Sequence, residues 1–326
     1  MKDIYFDKNY GKLYEKCEKG EAINFELKSN NGLIINQFIK REIPIKINNQ
    51  SYYDIITPYG YGGPYIVESN NKEELIKDYE KAFSEYCKNN NIVAEFIRFH
   101  PLFNNAKDFN TIYDISMNRY TLGTNLKDFE DPIKSEFSKS CRQNIRKKIE
   151  SGISYKITLK PTDLTEFKKV YYSTMDRNEA SDYYYFDDEY FEKMKKYYHD
   201  NLILVEAIYN DKTIAAGLYY LCNKIIHIHL SGTLKEYLNM SPAYILRYAI
   251  TIWGKENGYE LIHHGGGRSS SEEDNLYKFK KQFAKNTKFE FYIGKKVWNK
   301  AIYNKLCQSQ NIDQSIEFFP AYRKEL

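Results

Sequence analysis

The stretch LILVEAIYNDKTIAAGLYYLCNKIIHIHLS, residues 202–231, decides the fold. Three apolar runs, Leu202–Tyr209, Thr213–Leu221 and Ile225–Ser231, are separated only by Asn210-Asp211 and Asn223-Lys224. Such short polar pairs suit the left-handed backbone of tight hairpins, so the runs predict three antiparallel strands.

Helical patterns flank this meander on both sides. Upstream, Asp131–Gly152 reads as a helix dense in Lys and Arg, with Ile133, Phe137, Cys141 and Ile145 as its buried stripe. A strand over Ile153–Leu159 follows, then helices over Asp163–Met175 and, beyond Tyr183-Tyr184-Tyr185, Asp187–His199. Downstream, Ser241-Pro242 is expected to open a helix, the hydroxyl as N-cap and the proline at the first helical position. Its stripe runs from Ala243 to Lys255, Gly258 ends it, and Tyr259–His263 forms a strand.

The same order occurs near the start of the chain. Ile23–Val67 is strand-like; then Leu75, Ile76, Tyr79, Phe83, Tyr86 and Cys87 mark a helix over Asn71–Asn89. Asn89-Asn90-Asn91 stops it before a buried strand at Ile92–Ile97. Helix, stop and strand in both places imply an internal duplication, with halves at residues 1–130 and 131–326 and no low-complexity linker. The fold class is α+β: two tandem domains, each a mainly antiparallel sheet flanked by helices.

Composition narrows the setting. The net charge of +4 is too small to demand nucleic acid, although a local basic cluster can serve an anionic ligand. Five scattered cysteines, Cys17, Cys87, Cys141, Cys222 and Cys307, fit reduced thiols rather than a disulfide framework. Neither a signal-peptide pattern nor an apolar run of about 18 residues is present, so a cytoplasmic protein without a membrane segment is expected.

The order of elements in the second half matches the fold of the GCN5-related acetyltransferases, and several motifs look like the FemABX family of peptidoglycan aminoacyltransferases. Pro58-Tyr59-Gly60-Tyr61-Gly62-Gly63-Pro64 resembles that family's glycine-rich loop. Arg142-Gln143-Asn144-Ile145-Arg146-Lys147-Lys148, followed by Gly152, resembles its basic helix, and Tyr172–Arg177 a later helix end. Gly265-Gly266-Gly267 with Leu276-Tyr277-Lys278-Phe279-Lys280-Lys281-Gln282-Phe283 is the best match. No sustained charged heptad appears, so the resemblance is to members lacking a coiled-coil arm.

The resemblance implies transfer of an aminoacyl group from aminoacyl-tRNA, or an acyl group from CoA, to an amine of a cytoplasmic cell-envelope precursor such as a peptidoglycan stem peptide. These donors are co-substrates; no bound cofactor and no metal are expected. Lys280 is then the catalytic lysine of a Phe-Lys motif with Phe279, donating to the carbonyl being transferred. Acyl transfer to an amine needs such an oxyanion donor. Without the resemblance, Lys280 is a solvated lysine on a helix whose Leu276, Phe279 and Phe283 are core.

Substrate contacts are expected from Tyr59, Gly60, Tyr61, Gly62, Gly63, Arg142, Arg146, Arg177, Gly265, Gly266 and Gly267. Arg142 and Arg146, one helical turn apart, have the spacing to grip a phosphate. The glycine triplet is expected to expose backbone amides. Against CoA, Leu238-Asn239-Met240-Ser241-Pro242-Ala243 lacks the glycines of the usual pyrophosphate loop. His227 and His229 share a strand face, but no third ligand accompanies them, so packing is the reading. His263 and His264 should point to opposite sheet faces, so at most one faces a cleft, and either can relay a proton; no general base is named, and a substrate carboxylate or water is left to do that work. Two rivals remain: a CoA-dependent N-acetyltransferase acting on a nucleotide-linked amino sugar, and a degenerate binding protein.

Overall fold

The computed structural model describes residues 3–324. The chain opens with helix α1 (Glu15–Glu18) and strands β1 (Gly20–Ser29), β2 (Gly32–Glu42), β3 (Tyr53–Ile56) and β4 (Tyr65–Ser69). Helix α2 (Lys72–Asn89), strand β5 (Ile92–Arg98), helix α3 (Asn105–Asp108) and the long strand β6 (Asp114–Asn125) come next. Helices α4 (Pro132–Glu136) and α5 (Lys139–Glu150) precede β7 (Ser154–Leu159), α6 (Thr165–Arg177) and α7 (Asp188–Tyr198). The meander is β8 (Leu202–Tyr209), β9 (Lys212–Cys222) and β10 (Ile225–Thr233). Then follow α8 (Ala243–Glu256), β11 (Leu261–Gly265), α9 (Asn275–Lys281), β12 (Lys288–Val297) and α10 (Lys300–Ser309).

Both hairpins form as their turn residues dictate. Asn210 and Asp211 take φ of 49° and 59°, Asn223 and Lys224 49° and 66°, setting the pairs Tyr209↔Lys212 and Cys222↔Ile225.

The chain divides into two compact units, one of Tyr5–Asn118 with the segment from Glu290 onward, the other of Arg119–Phe289 with Asp3 and Ile4. This differs from the expected division at 130/131. The segment from Glu290 onward, which falls inside the half read as residues 131–326, belongs to the first unit, where β12 pairs with β5 over Ile293–Val297. In the first unit the strand order is β1-β2-β3-β5-β12, with β4 also on β2. In the second it is β6-β11-β10-β9-β8-β7. Each unit holds one parallel pair spanned by a helix: β3 with β5 around α2, and β10 with β11 around α8. The duplicated pattern read from the sequence is this repeated crossover.

Helix α8 buries Ile245, Leu246, Ala249 and Ile250 against Ile203, Val205, Ile214, Ile226 and Ile262. Each fully buried Ile or Leu stabilises by about 1.5–3 kcal/mol, so this helix is anchored by its apolar face rather than its caps. The expected hydroxyl cap is absent: Ser241 turns left-handed (φ 50°), and Pro242 takes the cap position. The basic helix expected over Asp131–Gly152 is also broken. Phe137 is extended, and Ser138 caps a new start by accepting from Cys141 N at 3.1 Å. The apolar stripe continues across the break, with Phe137 edge-on to Phe283 at 5.2 Å.

The first unit buries a carboxyl without a salt-bridge partner within 4 Å among the described residues; its other buried carboxyl, Asp54, is paired with Arg41 and Arg323. Glu95 on β5 is 1% exposed; it accepts from Trp298 Nε1 at 3.0 Å and from Asn36 Nδ2 at 3.3 Å. Asn36 also donates to Tyr79 OH at 2.9 Å, and Tyr79 meets Tyr113 OH at 3.2 Å. Burial raises Glu95 from 4.5 to about 7, against the pull of these donors and of Lys296. The folded chain therefore holds this proton more tightly than the unfolded one. The stabilisation is complete below about pH 4.5 and is lost as pH rises through about 7. Glu95→Gln removes that loss, so the variant is expected to gain on the parent by roughly 2 kcal/mol at about pH 8 and little at about pH 4. Urea unfolding of both proteins at the two pH values checks it.

Candidate functional site

Strands β10 and β11 pair for only three residues, Ile225↔Leu261, Ile226↔Ile262 and His227↔His263, although β10 runs on to Thr233 and β11 to Gly265. Beyond His227 and His263 the ladder stops at the carboxyl ends of two parallel strands, where crevices for ligands form in open sheets. Both strands are irregular there. The register shifts between Ile228 and Leu230 on β10, and between His263 and Gly265 on β11 against β6. Such bulges re-aim the side chain left out of the ladder, here His229 and His264. Gly265 follows at φ 72°, a conformation that disfavours any side chain.

Helix α9 brings Lys280 to the β11 end. Asp274 caps it by accepting from Tyr277 N at 2.9 Å, and Phe279 is wedged edge-on to Tyr244 (5.5 Å) and Phe283 (5.1 Å). Lys280 Nζ donates to Gly266 O at 2.6 Å. Its side chain is half-buried, and enclosure of the ammonium, then repulsion from Arg247 and Arg119, lowers its pKa to about 7, with Asp274 opposing. Lys280 is therefore not the solvated lysine of an ordinary helix face.

Three partners complete the cluster. Arg247, 5% exposed on α8, donates from Nη1 to Tyr219 OH at 2.9 Å, while its Nε has no partner among the described residues. His264, 2% exposed, holds Thr124 Oγ1 through Nε2 at 2.8 Å. Burial, with the charges of Arg247 and Lys280, pushes its pKa well below the ordinary value. Arg119 donates to Gly267 O at 2.8 Å. The carbonyls of Gly266 and Gly267 thus orient two cations. Positive charge gathered around an enclosed lysine, opposed by Asp274, favours an anionic or strongly polarised ligand.

The other expected residues lie elsewhere. Arg142 Nη1 donates to Phe137 O, and to Lys134 O at 3.1 Å, closing the break between α4 and α5. Arg146 is exposed, with its Nε 3.6 Å from Glu150. Arg177 ties α6 to β10 by donating to Thr233 O at 2.8 Å. In the first unit, the loop from Tyr59 to Gly63 is fastened on several sides. Tyr59 O accepts from Tyr10 OH at 2.8 Å, and Gly62 bonds Arg98 O and Asn105 Nδ2, each at 2.8 Å. Tyr61 packs edge-on to Tyr5 and Phe291, each at 5.3 Å, and Gly63 lies against Ile97 and Phe99. At Gly60 (φ 96°) a Cβ would lie 2.4 Å from the Tyr5 ring, so turn geometry accounts for this glycine.

The paired histidines part company. His227 Nε2 meets Asp3 Oδ2 at 2.8 Å, and His229 Nε2 meets Tyr190 OH at 2.7 Å. Sequence reasoning missed Arg247, Thr124 and Arg119; the one available signal was an arginine inside the apolar run Ala243–Trp253.

Comparison with known proteins agrees with this architecture. Residues 106–211 match the FemAB family. No curated protein matches the chain. Among solved structures, FemX is 12% identical, with a TM-score of 0.69 over 93% of this chain and 94% of that one. The C-terminal domain of a putative lysylphosphatidylglycerol synthetase from Agrobacterium fabrum is 13% identical, with a TM-score of 0.59 over 94% and 92%. The L-PGS of Bacillus licheniformis is 13% identical, with a TM-score of 0.54 over 89% and 91%. Residues 106–211 thus form a FemAB-like segment, and the chain, with its two sheet-and-helix units, shares the fold of FemX.

Proposed function

We propose that the protein is an acyltransferase that moves an aminoacyl group from aminoacyl-tRNA to an amine of a cell-envelope precursor. The enclosed Lys280 carries this reading. It stands on α9 beside the end of β11, held by Gly266 O and pressed by the charge of Arg247. An N–H donor in that setting stabilises the oxygen of a carbonyl as it becomes negative, and a fixed donor in a dry site does this better than water.

The start of α8 supports the aminoacyl donor over CoA. Pyrophosphate binding at a helix start uses free backbone amides. Here Pro242 has none, and the amides of Tyr244 and Ile245 already donate to Ser241 O (3.1 Å) and Pro242 O (2.9 Å). The acceptor is drawn from the FemX-like fold and the FemAB segment. The fold shared with the synthetase domains makes a lipid hydroxyl the competing acceptor, which the same assay resolves.

Transfer is measured from a panel of charged tRNAs and from acetyl-CoA to a nucleotide-linked muramyl pentapeptide and to phosphatidylglycerol vesicles. Appearance of product from tRNA on the peptide amine is the expected result. Product from acetyl-CoA alone, or on lipid alone, replaces the donor or acceptor named here, and binding without turnover replaces the enzyme reading. Lys280→Ala is expected to lower kcat by about 10²–10³-fold, as for loss of one oxyanion donor, with an unchanged circular dichroism spectrum.

A pH profile tests the lysine separately. Lys280 is charged below its pKa of about 7, so kcat/KM is expected to fall as pH rises through that value. Lys280→Arg, which stays charged, is expected to lose that alkaline limb even if its rate is lower.

A further inference from the structure

One hydroxyl proton determines the state of His264. Thr124 Oγ1 lies 2.7 Å from Phe283 O and 2.8 Å from His264 Nε2. A carbonyl oxygen only accepts, so the single threonine proton points to Phe283. Toward His264 the same oxygen can then only accept, which places the ring proton on Nε2. With the ring kept neutral by burial and by the charges of Arg247 and Lys280, Nδ1 carries a bare lone pair. That atom is buried and has no partner among the described residues. Leaving such an acceptor unpaired costs about 1–3 kcal/mol, a cost that a bound N–H relieves. His264 also occupies the β11 bulge, out of the ladder and beside the Gly265 turn. Nearby, Arg247 Nε is a buried donor equally without a partner. Donors from Lys280 and Arg247 with one acceptor at His264 match a centre that develops a negative oxygen while a nitrogen loses a proton.

We propose that His264 is the proton acceptor for the attacking amine, through Nδ1; this rests on the acyl-transfer reading above. The neutral amine nitrogen bonds to the carbonyl carbon of the donor ester while its N–H points at Nδ1. As the tetrahedral centre collapses, the carbon–oxygen ester bond breaks, and the proton passes from the amine through Nδ1 to the departing ribose oxygen. The imidazole ends neutral, an amide has formed, and no other reactant is needed. A ring that binds its proton weakly passes it on instead of keeping it, and Thr124 holds it in the required tautomer throughout.

Two measurements test this. In nitrogen-15 spectra of the unmodified protein, His264 is expected as the Nε2–H tautomer without titration between about pH 5.5 and 8; an Nδ1–H tautomer, or titration near 6.5, overturns the proposal and needs no variant. His264→Gln keeps an amide near the Nε2 position to donate to Thr124 but has no lone pair at Nδ1. With alanyl-, seryl- and lysyl-tRNA and the muramyl pentapeptide as probes, kcat is expected to fall at least about 10²-fold while KM stays within a few-fold. Undiminished kcat in the folded variant overturns this proposal alone. Absence of transfer by the unmodified protein overturns the acyl-transfer reading, and the role of His264 with it.

Discussion

The brevity of the parallel ladder between β10 and β11 is the constraint on which the second unit turns. Three residue pairs hold the strands together, enough to fix α8 between them, and then the pairing ends. Had the ladder continued, the backbone at the β11 end would be consumed by hydrogen bonds and the histidines held in ordinary alternation. Its end leaves room for bulges on both strands, and one of them sets His264 beside the carbonyls that orient Lys280 and Arg119. The chemistry of the site follows from a sheet that stops pairing early.

Glu95 and Lys280 are enclosed in opposite surroundings. Glu95 is surrounded by N–H and O–H donors from β2, Trp298 and tyrosines, and takes up a proton easily because it is far from water. It is a satisfied group in a packed core, and nothing about it asks for a ligand. Around Lys280 stand the cations Arg247 and Arg119, opposed by Asp274, and Arg247 Nε and His264 Nδ1 are left without partners among the described residues. Perturbed acidity alone does not separate these cases; the unmet hydrogen-bonding capacity does.

What is legible in the sequence is what local physics controls. The hairpins at Asn210-Asp211 and Asn223-Lys224, the stripe of α2 and the Asn89–Asn91 stop all depend on residues within a few positions, and all appear as expected. The break at Phe137-Ser138 is hidden because the apolar stripe continues through it and only the capping hydroxyl betrays it. Ser241 has the composition of a cap, but its backbone turns the other way. Lys280 stands out through a family resemblance, whereas its enclosure is a property of the fold. The state of His264 is beyond reach, since it depends on a threonine 140 residues away and a carbonyl on a third segment. The spacing of Arg142 and Arg146 likewise does not tell that Arg142 Nη1 donates to backbone carbonyls at the helix break.

The return of the chain's last segment to the first unit has a consequence for synthesis. On the ribosome, β1 to β5 and α2 emerge early, yet β5 lacks its β12 neighbour, and Tyr52, Val93 and Ala94 lack the cover of Ile302, Tyr303, Leu306 and Tyr322. The intervening unit, whose meander joins strands through two-residue turns, has all its own strands in hand by Phe289. Vectorial folding is therefore out of sequence order: the middle of the polypeptide can reach its native packing first, while the amino-terminal portion waits, with an open strand edge and exposed apolar side chains, until translation has passed α10.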